Sequence, residues 1–239
     1  MPRFFRTTLA TLVLGLAAAG PAAGAFVTPA NLSPGDQYRL AFVTDGVITA
    51  ESPDIAVYNA FVTAAANSQP DLRRLGTTWT AIASTPTFNA RTNTSTDPNT
   101  AVGVPIYRLN GTRVVNDYAD LWDDTIRRAL RISETGNSLF VKVWTGTRGD
   151  GTGSRGSELG ADYVSEGPII FGLSYRNYVF FSQWIYYDLA DMYREHHLYG
   201  MSGILTVPVA PIPLPAAVYL FGSALAGLMG IGWRRQAAA

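Results

Sequence analysis

Residues 104–115 read Val-Pro-Ile-Tyr-Arg-Leu-Asn-Gly-Thr-Arg-Val-Val, two apolar-rich arms around Asn110-Gly111. Asn-Gly tolerates positive φ at both centre positions of a tight turn, so the stretch predicts a β-hairpin closed by a type I′ turn. Upstream, Tyr38, Leu40 and Phe42 alternate with Arg39 and Ala41, the period of two of a half-buried strand. Trp79, Ala81 and Ala83 suggest another short strand, and Phe140 to Trp144 a further one. One helix is well marked: Ser52 suits an N-cap, Pro53 the first helical position, and Ile55, Tyr58, Val62 and Ala65 form an apolar stripe. A shorter helical piece is expected around Ile126 to Leu130. The pattern is that of a mixed domain with more strand than helix, and no internal repeat points to a solenoid or propeller.

Between these elements lie two long connections. Residues 84–100 are rich in Thr, Asn, Ser and Pro and read as an exposed loop; residues 146–156 are Gly-rich, carry Arg148, Asp150 and Arg155, and read as a flexible exposed loop open to a binding role. From Phe171 to Tyr199 the chain is crowded with aromatics. Residues 178–187 look apolar on both faces, as in a strand covered on both sides. Most of these rings should be core, while any that face outward could stack on sugar rings. In the final segment Tyr199, Met201, Leu205 and Val207 are expected on one face.

The chain has 239 residues, 18 basic side chains, 18 acidic ones and no Cys. That composition excludes a disulfide scaffold, a Cys-ligated zinc or iron–sulfur site, a lipobox lipoprotein and a highly basic nucleic-acid binder. Residues 1–25 read as a secretory signal: Arg3 and Arg6, an apolar run from Thr7 to Ala19, and small residues Ala23-Gly24-Ala25 before a mature start at Phe26. At the other end Ala216 to Trp233 is an uncharged apolar segment of 18 residues, closed by Arg234 and Arg235. As a helix it would span about 27 Å, near the thickness of a hydrocarbon core, with the basic pair on the cytoplasmic side. Pro208, Pro211, Pro213 and Pro215 form a stiff stalk before it. The expected organisation is a signal peptide (1–25), an extracytoplasmic body (26–207), a Pro-rich motif and stalk (208–215), a membrane span (216–233) and a short basic tail (234–239). The four terminal Arg are the only charges in the two ends, so the body holds 14 basic and 18 acidic groups, a net charge of −4, with no electrostatic reason to seek DNA or anionic lipid.

The tail Ile212-Pro213-Leu214-Pro215-Ala216, the apolar span and Arg234-Arg235 together resemble the VPLPA variant of the PEP-CTERM sorting signal. The resemblance covers about the last 30 residues and implies export through the Sec translocon of a Gram-negative bacterium. It further implies transient anchoring in the inner membrane, cleavage near the motif by exosortase, and release to the cell surface or extracellular matrix. Ile212 replaces the usual Val. In the body, Val104-Pro105-Ile106, Leu121-Trp122 and Lys142-Val143-Trp144-Thr145-Gly146 look like the middle of endostatin-type domains, a branch of the C-type-lectin-like fold. That likeness covers about 45 residues and implies a single α+β domain whose first and last strands pair, with one or two helices on a twisted antiparallel sheet. The disulfides usual in that fold cannot form here, leaving hydrophobic packing to do their work.

Gln69-Pro70-Asp71 matches the sugar-and-calcium tripeptide of galactose-type lectins, but it follows the first helix and Trp122-Asp123-Asp124 comes about 50 residues later, so it reads as a helix-end turn. Asp120, Asp123 and Asp124, with Asp117 beside them, could hold a structural calcium; Asp120, Asp123 and Glu134 are the candidates for a glycoside-hydrolysing carboxylate pair. The simpler reading makes these carboxylates caps of local turns. His196 and His197 are adjacent and poorly placed to chelate one ion together. No Cys nucleophile, Gly-x-Ser-x-Gly elbow or His-Glu-x-x-His helix is present, and Arg148-Gly149-Asp150 is a tripeptide that Gly-rich loops generate easily. The expectation is a noncatalytic exported module for adhesion or exopolysaccharide association without a required cofactor. The alternatives are a secreted polysaccharide hydrolase and a permanently anchored periplasmic protein.

Overall fold

The computed structural model describes residues 26, 28–162, 168–176 and 182–209. The signal segment with Ala23 and Ala25, the motif Pro213-Leu214-Pro215-Ala216, the span and Arg234-Arg235 lie outside the described residues, as does the 178–181 part of the expected strand. Among the described residues no helix is long and apolar enough to cross a membrane.

Nine strands among these residues join in one sheet: β1 (Gln37–Val43), β2 (Trp79–Ala81), β3 (Ile106–Arg108), β4 (Arg113–Val115), β5 (Lys142–Trp144), β6 (Ile169–Leu173), β7 (Asp188–Ala190), β8 (His197–Ser202) and β9 (Leu205–Thr206). The order across it is β4-β3-β1-β8-β5-β6-β7, with β2 on β8 and β9 on β1. β1 pairs antiparallel with β8, Ala41 opposite Met201, and with β9, Gln37 opposite Thr206, so the first strand lies beside the last two. The sheet is mixed rather than antiparallel throughout: β1 with β3 and β5 with β8 run parallel.

Helices α1 (Ile55–Ser68), α2 (Pro70–Arg74), α3 (Ala90–Asn93) and α4 (Tyr118–Leu121) complete the α+β architecture. Only α1 is long. It begins two residues later than the sequence suggests: Asp54 is the N-cap, accepting from Ala56 N at 2.9 Å, and Ser52 Oγ in turn accepts from Asp54 N. Ile55, Tyr58 and Val62 are buried as expected, together with Ala66 in place of Ala65. Gln69 ends α1 and starts α2, where Pro70 occupies the first turn and Asp71 pairs with Arg74 at 2.6 Å, the helix-end turn expected for Gln69 to Asp71.

β1 is buried on both faces, not one. Tyr38, Leu40 and Phe42 join α1 in one core cluster, while Ala41 and Val43 join Tyr199, Met201 and Trp184 in a second on the other side. Each large apolar side chain so buried contributes about 1.5–3 kcal/mol. Arg39 is the exception within the strand, 5% exposed and held by Tyr118 Oη, Thr94 O, Ser202 O and Ser95 O at 2.9 to 3.3 Å. Three of those acceptors lie in residues 84–100 or at α4, which ties down part of the expected exposed loop, while Pro86 to Phe88, Thr92, Ser95, Asn99 and Thr100 stay exposed. Ser84, Thr85, Thr94 and Thr96 are buried because each polar group finds a partner, among them Ser84 with Thr147 at 2.9 Å and Thr94 with Thr96 at 2.7 Å.

The 104–115 hairpin forms, but with another turn. Gly111 has φ +77°, Asn110 has no positive φ, Gly111 N donates to Arg108 O, and Arg108 N donates to Thr112 O. This is a three-residue loop with Gly at the bulge position, the alternative that Asn-Gly also serves. The short helix expected at Ile126 to Leu130 is absent; α4 lies earlier, capped by Asp117, which accepts from Asp120 N at 2.8 Å. Residues 182–187 form a turn rather than a strand, and the last segment breaks at Gly203. Tyr199 and Met201 therefore serve one cluster while Leu205 and Val207 pack on the other.

Candidate functional site

The Gly-rich 146–156 segment is well packed, contrary to the flexible loop its composition suggests. Thr147 and Gly153 bridge, Gly151 N donates to Arg148 O at 3.0 Å, and Arg148 N to Thr152 O at 2.8 Å, so it repeats the turn of the first hairpin. Gly151, at φ +79°, lies flat on Trp122; a Cβ there would stand 2.6 Å from the indole. Trp122 donates to Thr96 O at 3.0 Å and stacks at 6.2 Å on buried Trp184.

This packing brings the hairpin tip onto two unusual residues. Asp124 (φ +75°) and Ser182 (φ +48°) are non-glycine residues in the left-handed region, and the Ser182 hydroxyl donates to the Asp124 carboxylate. A Cβ on Gly149 would overlap both groups. Such conformations cost about 1–3 kcal/mol each and concentrate at functional sites.

Around this junction opens a cavity of about 550 Å³ at the β7 edge of the sheet, lined by Asp124, Arg148, Gly149, Ser182, Gln183, Tyr186, Tyr187, Asp188 and Leu189. Its size falls within the range of small-molecule sites. Tyr186 and Tyr187 are 41% and 45% exposed, and Leu189 adds a third apolar surface. Their backbone is fixed: Tyr186 N donates to Ser182 O at 2.8 Å and Tyr187 N to Phe171 O at 2.8 Å, while the Tyr187 ring rests 5.9 Å from that of Phe171. The arrangement offers aromatic faces beside an amide, a guanidinium and carboxylates, groups suited to hydroxyl-rich rings.

The carboxylates singled out in the sequence do not meet. Asp120 accepts from Asn116 N at 2.6 Å and lies 3.4 Å from Arg127; Asp123 accepts from Thr125; Asp124 faces Ser182. Glu134 is buried elsewhere, taking Asp45 N on both oxygens at 3.1 and 2.9 Å, with burial and then the Asp45 charge pushing its carboxyl above the usual range. Among the described residues no three acidic or histidine side chains form a group able to hold a metal ion. Asp120 and Asp123 take local turn bonds and Asp124 accepts from the Ser182 hydroxyl.

His196 stacks on Trp144 at 4.4 Å and His197 Nδ1 meets Thr44 O at 2.6 Å, so the two histidines serve separate contacts. In the Arg148-Gly149-Asp150 turn the Asp150 carboxylate faces its own loop. Against the upward pull of burial, it is held below its ordinary range by the Thr152 hydroxyl and N–H, Arg91 and Arg148. Gln183, Asp188 and Leu189 escaped the sequence reading because their convergence with Asp124 and Arg148 depends on the β5-β6-β7 pairing. Tyr186 and Tyr187 belong to the stretch expected to be covered on both sides; the turn at 182–187 leaves them exposed instead.

The chain matches no protein-family model, and no curated protein matches its sequence.

Proposed function

We propose that this protein is an exported, noncatalytic module that binds exopolysaccharide through the Tyr186–Tyr187 cavity. In this reading it is delivered by the Sec translocon, held transiently in the inner membrane by residues 216–233, cut by exosortase near Pro213-Leu214-Pro215-Ala216, and released to the surface of a Gram-negative cell. The observation that carries the binding role is the pair of exposed tyrosines, locked by backbone bonds beside the junction of Asp124, Ser182 and Gly149. Glu134, Asp120 and Asp123 are each engaged by different local backbone groups, which supports binding over hydrolysis.

A C-type-lectin-like assignment of the body draws support from the pairing of β1 with β8 and β9. That pairing also sets where the chain enters and leaves. Phe26, the proposed mature start, packs on the core and shares a cavity with Pro208, the first stalk residue, so both ends of the body meet at one place. A body tethered by its tail would stand on that end.

The test is retention of the full chain, in detergent, on exopolysaccharide from the producing organism, with released sugars assayed in parallel. Retention that falls at least tenfold in Tyr186→Ala and Tyr187→Ala, without released oligosaccharide, is the expected result; release of sugars would overturn the noncatalytic reading. Mass spectrometry of surface-released protein should show a C-terminus near residue 216, and intact residues 217–239 would sink the exosortase step.

A further inference from the structure

The body's net negative charge conceals a concentrated positive surface at the opposite end of the strand order from the tyrosine cavity. Arg108 ends β3 and Arg113 starts β4, the edge strand; the following segment returns along that edge, with Arg127 N donating to Val114 O at 2.9 Å. This return places Arg127 and Arg128 beside Arg113 and Thr112 around a cavity of about 530 Å³. Arg131 follows, its guanidinium 5.3 Å above the ring of Phe140, which is 64% exposed.

Few acids answer this charge. Asp120 lies 3.4 Å from Arg127, and among the described residues Arg108, Arg113, Arg128 and Arg131 have no ion pair. Arg113 donates to Tyr107 Oη and Asn116 Oδ1, Arg128 to Arg127 O, and Arg108 to Ala129 O, all neutral acceptors. The Nε atoms of Arg108 and Arg131 are buried without any hydrogen-bond partner. Arg108 is 9% exposed; burial first, then repulsion from Arg131 and Arg128, lowers its hold on the proton. Arg108 does not line the cavity, but its charge and that of Arg131 stand beside Arg128 and add to the positive field there.

We infer that the Arg113–Arg127–Arg128 cavity binds the carboxylate groups of an acidic polysaccharide. The inference rests on the polysaccharide-binding reading but places a second site on the molecule. Guanidinium forks match carboxylates in two-bond geometry. Thr112 offers a hydroxyl for a sugar hydroxyl, and Phe140 an open aromatic face next to Arg131. The carboxylates of a polyuronate are spaced by sugar rings, and such a chain can meet this local patch and then turn away. A duplex with a charge about every 1.7 Å would carry its phosphates on over the acidic remainder of the body. Beyond about 8 Å at physiological salt the patch is screened, so contact rather than long-range attraction decides.

The experiment measures binding of the full chain in detergent to polygalacturonate, to a neutral glucan, to duplex DNA and to phosphatidylglycerol vesicles at 50 and 300 mM salt, beside Arg128→Gln and Arg127→Gln/Arg128→Gln. Both side chains are exposed, and among the described residues Arg128 bonds only its neighbour's carbonyl, so the single variant keeps the fold, checked by circular dichroism. The expected result is polygalacturonate binding that weakens with salt and falls about tenfold in the double variant, while glucan binding through the tyrosine cavity is unchanged. Glucan binding without polygalacturonate binding would overturn this inference and leave the tyrosine reading standing. Polygalacturonate binding indifferent to both substitutions, or DNA or vesicle binding as strong and as Arg-dependent, would overturn it as well. Loss of glucan binding in Tyr187→Ala with polygalacturonate binding retained would support two separate sites.

Discussion

Replacing Arg39 with methionine asks whether a buried guanidinium held by neutral acceptors stabilises this fold. Arg39 lies in the middle of β1, and its donors reach Thr94 O at 2.9 Å, Ser202 O at 3.0 Å, Tyr118 Oη at 3.0 Å and Ser95 O at 3.3 Å, with the Tyr118 ring 5.4 Å from the guanidinium carbon. Methionine replaces the apolar stem and donates nothing. Thr94 and Ser202 are buried, and each carbonyl that loses its donor costs about 1–3 kcal/mol, about 2–6 kcal/mol for the two. Loss of the cation–π contact adds up to about 1 kcal/mol. Against this, removing a desolvated charge returns a share of its burial cost. Because four acceptors already solvate the guanidinium, that share should be the smaller one, and a net loss of about 3 kcal/mol is expected. For a domain of this size the loss lowers Tm by about 6–12 °C. Differential scanning calorimetry and urea unfolding of the wild type and Arg39→Met measure it. An unchanged or raised Tm would refute the reasoning, since it would mean that the charge, not the carbonyl network, dominates the balance.

Gly149→Ala should abolish glycan retention through the tyrosine cavity while costing about 1–3 kcal/mol of stability, because its methyl would displace Asp124 and Ser182; calorimetry and retention on the same sample separate the two effects. Glu134, raised by burial and by Asp45, keeps its proton in the fold where the unfolded chain has lost it. The stability it contributes is full below pH 4.5 and lost as pH rises through its folded value, and Glu134→Gln should flatten that slope in urea midpoints taken from pH 4 upward. His196 runs the other way: burial, with Lys142, His197 and Arg194 adding, lowers it from 6.5. The stability it contributes is present above pH 6.5 and lost as pH falls through the lowered value; His196→Phe, which keeps the stack on Trp144, should remove that acid-side loss.

What the sequence determined by itself was whatever short-range periodicity controls. The stripe of Ile55, Tyr58 and Val62, the strand at Trp79 to Ala81, the hairpin at Asn110-Gly111 and the turn at Gln69 to Asp71 all follow from residues a few positions apart, and all are present. Even there the finer choices, Asp54 over Ser52 as cap and the bulged turn over type I′, lay among alternatives of nearly equal local energy. Tertiary structure decided the rest. The burial of Ser84, Thr85, Ala90, Thr94 and Thr96 within residues 84–100 accompanies Arg39 and Ser84 finding partners 55 and 63 positions away. The two-sided burial of β1 follows from Ala41 meeting Met201 across the chain. The tyrosine cavity and the arginine patch are likewise sums of segments joined by strand pairing. A polar run can be solvent-exposed or internally satisfied with the same composition; which state wins depends on whether distant donors arrive to replace water, and that information resides in the fold.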